Sequence, residues 1–105
     1  MDSLGRIAHD AFFAASSVHR ARRFDELRAS SRRLWESAGI AAAQAGAVSD
    51  ERAGQAMYLA WLEDTGLPLA HFPTWTDMGH AAQRQWIAAA LAARSESRKA
   101  QERTA

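Results

Sequence analysis

The chain contains no cysteine, which excludes disulfide cross-links, thiolate metal sites and thiol nucleophiles together. Proline is nearly absent: Pro68 and Pro73 are the two examples, so the strongest helix breakers are confined to one short stretch. No apolar run approaches the roughly 18 residues of a membrane span. The opening residues MDSLGRIAHD lack the basic-then-apolar form of a secretory signal. These absences lead us to expect a cytoplasmic protein without membrane association. An excess of charge is missing too, since 13 Lys and Arg against 12 Asp and Glu leave a formal net charge of +1, too small to imply a polyanionic partner by itself. Neither a phosphate-cradling glycine loop nor a G-x-S-x-G nucleophile elbow occurs, and no strand-like alternation runs long enough to matter.

What is present suits one folded helical domain. The chain has 105 residues, 48% of them hydrophobic, which is the composition of a packed protein rather than a disordered one. Much of the apolar share is alanine, which favours helices but buries little area. The four tryptophans and four phenylalanines must therefore carry the core. A tryptophan that buries ~200 Å² contributes on the order of 5 kcal/mol of gross transfer energy.

Apolar periodicity marks four helices. Leu4, Ile7, Ala8, Ala11, Phe12, Ala15 and Val18 recur at three- and four-residue steps, predicting a helix from an N-cap at Ser3 to about His19. Leu34, Trp35, Ala38, Ala41, Ala42 and Ala45 predict a second, starting near Ser30 or Ser31 and stopped by Gly46. Ser49, followed by Asp50 and Glu51, caps a third that carries Ala53, Ala56, Met57, Ala60 and Trp61 inward and ends near Gly66. Connections this short make neighbouring helices antiparallel. After the prolines, a fourth helix is expected from about His80 into the mid-nineties. The polar residues 97–105 then form either a solvated helical extension or a frayed tail. The reading is all-α: one domain over residues 1–96, bundle-like, with a polar C-terminal tail.

An internal repeat organises that bundle. Shifting the chain by 51 positions superposes Phe24 on Trp75, Glu26 on Asp77, Leu27 on Met78, Arg33 on Arg84 and Trp35 on Trp86, and continues through Ala38, Ile40 and Ala41 onto Ala89, Leu91 and Ala92. Upstream, Phe12 and Phe13 match Trp61 and Leu62 at a shift of 49. Two duplicated helical hairpins follow, over about residues 3–46 and 49–96. An aromatic at the turn and a tryptophan eleven residues later are placed to clamp both ends of one helix on the helix before it. The acid after the aromatic should favour a helix N-terminus. The arginine two before the tryptophan should lie over the aromatic turn or point to solvent. On this reading Trp35 and Trp86 are core anchors.

The second unit, with Trp75, Asp77, Met78, Arg84, Trp86, Ala89 and Ala90, resembles a group of short phage and prophage helical proteins bearing the motif W-x-[DE]-[LM]-x5-R-x-W-x2-A. It departs from them in placing Thr74 between Pro73 and Trp75 and in having Gly79 where a proline is common. A weaker likeness is to the tandem repeat domain of ryanodine receptors. The resemblance implies a helical fold and a mobile-element origin, and no activity comes with it.

Chemistry is sparse. His9-Asp10 resembles the paired metal ligands of HD-type phosphohydrolases, but only His19, His71 and His80 remain as further histidines. No two of the four lie three or four apart on a helix. They are expected to be surface or capping residues, with no metal, no cofactor and no catalysis. The functional reading is a small non-enzymatic accessory protein that is expected to bind another protein through exposed aromatics Tyr58, Phe72 and Trp75, with inhibition of a host system as one role for it. So thin a core also favours a homodimer. The alternative is a nucleic-acid-associated protein that uses the basic segment Arg20, Arg22, Arg23, Arg28, Arg32 and Arg33, unless those arginines pair with neighbouring carboxylates.

Overall fold

Ser3 and Ser49 begin the two hairpins in the same way. Each serine Oγ accepts a hydrogen bond from the backbone N–H three residues on, Arg6 and Arg52 respectively, both at 3.2 Å, satisfying one of the donors that a helix start leaves free. The computed structural model describes residues 3–16, 23–46 and 48–104. Within them α1 spans Leu4–Ala14, α2 Ala29–Gln44, α3 Asp50–Thr65 and α4 His80–Thr104, with short 3₁₀ turns at Phe24–Glu26 and Leu69–His71. No strand occurs among the described residues. The fold is all-α.

The helices close into a ring: α1 packs on α2 and α4, and α3 packs on the same two from the opposite side. Across the middle α2 and α4 also touch each other. Exchanging α1 with α3 and α2 with α4 maps this set of contacts onto itself. The two hairpins thus share one pattern of helix contacts.

Small residues set the helix spacing, and they obey the repeat. A Cβ on Gly5 would lie 2.7 Å from the backbone nitrogen of Glu36, and one on Gly54 would lie 3.0 Å from the nitrogen and Cα of Ile87. Gly5 and Gly54 correspond at the shift of 49, Glu36 and Ile87 at the shift of 51. A third close approach differs between the hairpins. Leu4 abuts Gly39, where an added Cβ would lie 3.0 Å from the Leu4 carbonyl; the corresponding positions in the other hairpin are Ala53 and Ala90, both fully buried.

Several boundaries differ from the sequence expectation. α1 stops at Ala14 because its last turn tightens, with Ser16 N–H bonding the Phe13 carbonyl; His19 lies outside the described residues. α2 starts at Ala29 with Arg28 at the cap position and no side-chain capping bond, so neither Ser30 nor Ser31 acts as its cap. α3 ends as expected on Gly66, whose φ of 69° is the left-handed conformation that glycine supplies without strain. α4 continues past the mid-nineties to Thr104, so the polar tail is a helical extension. Its residues are good helix formers, and Arg103 reaches Glu96 at 3.7 Å. No helix is long and apolar enough to cross a membrane among the described residues.

Candidate functional site

Aromatic side chains fill the interior. Trp35 and Trp86 stack on each other where α2 and α4 meet, centroids 5.7 Å apart and planes 20° from parallel. Phe12 sets its edge against both, at 5.3 and 4.8 Å. The turn aromatics do not clamp the far end of a helix as the spacing predicts. Instead Phe24 and Trp35 both meet His9 of α1, at 5.7 and 5.4 Å, while Trp75 and Trp86 both meet Tyr58 of α3, at 6.3 and 5.2 Å. The turn folds back on the helix it follows, so both rings converge on one residue. His9 and Tyr58 correspond at the shift of 49.

This assigns two of the three expected contact aromatics to the core. Tyr58 and Trp75 are 4% and 9% exposed, which corrects the expectation that they form a free surface. Each also has its polar atom engaged: the Tyr58 hydroxyl donates to the Pro73 carbonyl at 2.6 Å, and Trp75 Nε1 donates to Glu51 at 3.4 Å. Gln83 Nε2 donates to the Trp75 carbonyl at 2.7 Å, tying the turn to α4. Phe72 remains half-buried, edge-on to Trp61 at 6.0 Å.

Burial pushes the Tyr58 hydroxyl above its ordinary pKa near 10. A raised folded-state pKa means the folded form holds its proton more tightly, so the contribution is complete below the unfolded value and lost as pH rises through the folded one. Stability measured by urea unfolding should therefore fall as pH rises above about 10, and Tyr58→Phe should flatten that fall while costing about 1 kcal/mol at neutral pH. An identical alkaline profile in both proteins would count against this assignment.

His9 is not the surface or capping residue expected. It is 3% exposed, with Nδ1 3.0 Å from the Asp10 carboxylate, while Nε2 is buried among the rings of Phe13, Phe24 and Trp35, without a partner among the described residues. Among the described residues no three His, Cys, Asp or Glu side chains come together as a metal site. An unpaired buried polar atom costs stability, so His9→Phe should hold or raise stability by up to about 1 kcal/mol. A clear fall in the urea midpoint would show that the imidazole contributes a favourable interaction.

The basic segment is only partly described: Arg20 and Arg22 lie outside the described residues. Arg23, Arg28 and Arg33 are exposed and Arg32 half-buried. The neighbouring carboxylates do not neutralise them. Asp25 pairs with Arg6, which also lies over the Phe24 ring at 5.5 Å, and Glu36 accepts from the Ser3 hydroxyl. The acid that finds a partner is thus Asp25 rather than Glu26, and the arginine on the aromatic turn is Arg6 rather than Arg33.

A surface hollow that no sequence motif marked lies between α2 and α3. A polar part of about 290 Å³ is lined by Ser30, Arg33, Leu34, Ser37 and Asp64. An adjoining apolar part of about 380 Å³ shares Ser30, Leu34 and Asp64 and adds Trp61, Thr65, Leu67 and Phe72. Of the expected contact residues, only Phe72 and Arg33 are brought together here. Leu67 and Leu69, on the loop after α3, are 53% and 59% exposed. The available signal was an apolar residue on each side of Pro68, in a loop with no room to bury both. Comparison with known protein families, characterised proteins and solved structures finds no match.

Proposed function

We propose that the chain is a small non-catalytic accessory protein that binds another protein, and that its contact surface is the apolar hollow between α2 and α3. The supporting observation is the exposed Leu67 beside the Trp61 and Phe72 rings, since large apolar groups left in water around a concave surface are what a partner's side chain covers. With the resemblance to phage proteins, inhibition of a host system by occupying one of its proteins is the role we favour. Affinity capture with the wild type and with Leu67→Ser plus Leu69→Ser tests it. Both positions are exposed, so the double variant should keep its melting temperature while losing the captured protein. Equal capture by both, or none by the wild type, overturns the reading.

Light scattering separates a second copy from a different protein. Ile40 and Leu91, at corresponding positions of the two hairpins, are 44% and 37% exposed and would lie at the centre of a homodimer. The nucleic-acid alternative is favoured by the un-neutralised Arg23, Arg28, Arg32 and Arg33. It requires DNA or RNA affinity that falls steeply with salt and that is abolished by Arg28→Ala plus Arg32→Ala.

A further inference from the structure

The hollow between α2 and α3 has a twin, and comparing the two separates what the architecture demands from what it does not. Under the shifts of 51 and 49, Ser30, Arg33, Leu34 and Asp64 correspond to Ala81, Arg84, Gln85 and Ala15, which line a hollow of about 360 Å³ between α1 and α4. Packing two like hairpins together leaves a hollow at both places, so its presence alone says nothing about a ligand. The linings have diverged. At the twin site the hydroxyl and the acid are replaced by alanines, and the leucine by Gln85, which is occupied in bonding the Phe12 carbonyl at 3.4 Å. The fold is therefore satisfied without the hydroxyl, the leucine and the acid that Ser30, Leu34 and Asp64 supply.

We infer that the α2–α3 hollow receives the C-terminal residue of a partner polypeptide when that residue bears a large apolar side chain. The terminal carboxylate meets Arg33 and the Ser30 hydroxyl, the backbone N–H of the same residue meets Asp64, and the side chain enters among Trp61, Leu67 and Phe72. The inference rests on the protein-binding reading and specifies the chemistry of what binds.

Three observations select a chain end. First, Arg33 and Asp64 line one hollow with opposite charge, yet among the described residues neither makes a hydrogen bond or ion pair. Both are open to a ligand that offers an acceptor to one and a donor to the other. Second, a C-terminal residue carries its carboxylate, its N–H and its side chain on one Cα, so the three diverge from a point. Asp64 and Ser30, shared by the polar and apolar parts, stand where that point would lie. An internal segment offers the N–H, a side chain and a neutral carbonyl, so the charge of the arginine is left unmatched. Third, a free amino acid offers the same groups, but Arg33 and Asp64 are both exposed, so the site covers one side of its ligand. Small-molecule sites enclose roughly 70–90% of what they bind. A chain end that continues over the surface suits an open site.

The test uses fluorescein-labelled hexapeptides ending in phenylalanine, as free acid and as C-terminal amide, titrated against the whole protein by anisotropy. The free acid should bind about tenfold or more tightly than the amide. Arg33→Gln should erase that difference, whereas Arg84→Gln at the twin site should leave it intact. Both arginines are exposed, and circular dichroism confirms that the variants fold. Equal binding of acid and amide overturns the inference but leaves the protein-binding reading standing, because capture that depends on Leu67 and Leu69 does not require a carboxylate. Failure of the free acid to bind also overturns it, as does competition by free phenylalanine as strong as by the peptide acid.

Discussion

Trp86→Ala is expected to remove about 3–5 kcal/mol of stability, the range for truncating a large buried aromatic. The indole is 7% exposed and touches four other rings: Phe12, Trp35, Tyr58 and Trp61. Those rings belong to all the other helices, α1 from Phe12, α2 from Trp35 and α3 from Tyr58 and Trp61. No single neighbour is free to close the cavity, because Phe12 and Trp35 pack on each other, Tyr58 on Trp75 and Trp61 on Phe72. A domain of this size has about 5–15 kcal/mol in total, so the variant should be marginal or unfolded at 37 °C. Trp35→Ala should cost a similar amount, since Trp35 also meets four rings, His9, Phe12, Phe13 and Trp86. Because the two indoles stack, the double variant should lose less than the sum of the singles by about 0.5–1.5 kcal/mol. Urea unfolding followed by circular dichroism measures all three. A loss below about 1 kcal/mol for Trp86→Ala would mean that the indole is not the centre of the core.

Gly54→Ala should destabilise by about 1–3 kcal/mol, although the same change on an exposed helix surface stabilises by roughly 0.8–1 kcal/mol. The reversal of sign makes the experiment discriminating. A methyl group at Gly54 would sit 2.7 Å from Ile87 Cγ1, which can rotate away, but also 3.0 Å from the Ile87 backbone, which cannot. The α3–α4 spacing must therefore widen, and the Tyr58–Trp86 contact a turn away with it. Gly5→Ala meets the Glu36 backbone nitrogen at 2.7 Å and should cost at least as much. If either variant melts at a higher temperature than the wild type, the close approach of the two helices is not what holds glycine there.

Local signals told most about the helices. The serine caps at Ser3 and Ser49, the left-handed stop at Gly66 and the three-to-four periodicity of α2, α3 and α4 act within a few residues, and such effects are legible in sequence. The true start of α2 was less so, because Arg28 offers no capping side chain and Ser30 and Ser31 offered false ones. The polar end of α4 carried no apolar face, which left helix and frayed tail undivided. The candidate site was the least legible part. Tyr58 and Trp75 look in sequence like loop-side aromatics free for a partner, and become core only because the proline turn carries Trp75 back onto α3. His9 follows the same rule in the other hairpin.

By itself the sequence determined the four helices, the repeat, and the aromatic residues that had to form the interior, because propensity, capping and periodicity are properties of neighbouring residues. Only the tertiary structure decided which residue each aromatic meets, why Gly5 and Gly54 cannot carry a side chain, and that Ser30, Arg33 and Asp64 share a hollow with Trp61, Leu67 and Phe72. Those facts depend on groups far apart in the chain, such as Arg33 with Asp64 or Phe12 with Trp86, and the packing of the two hairpins on each other is what brings them together.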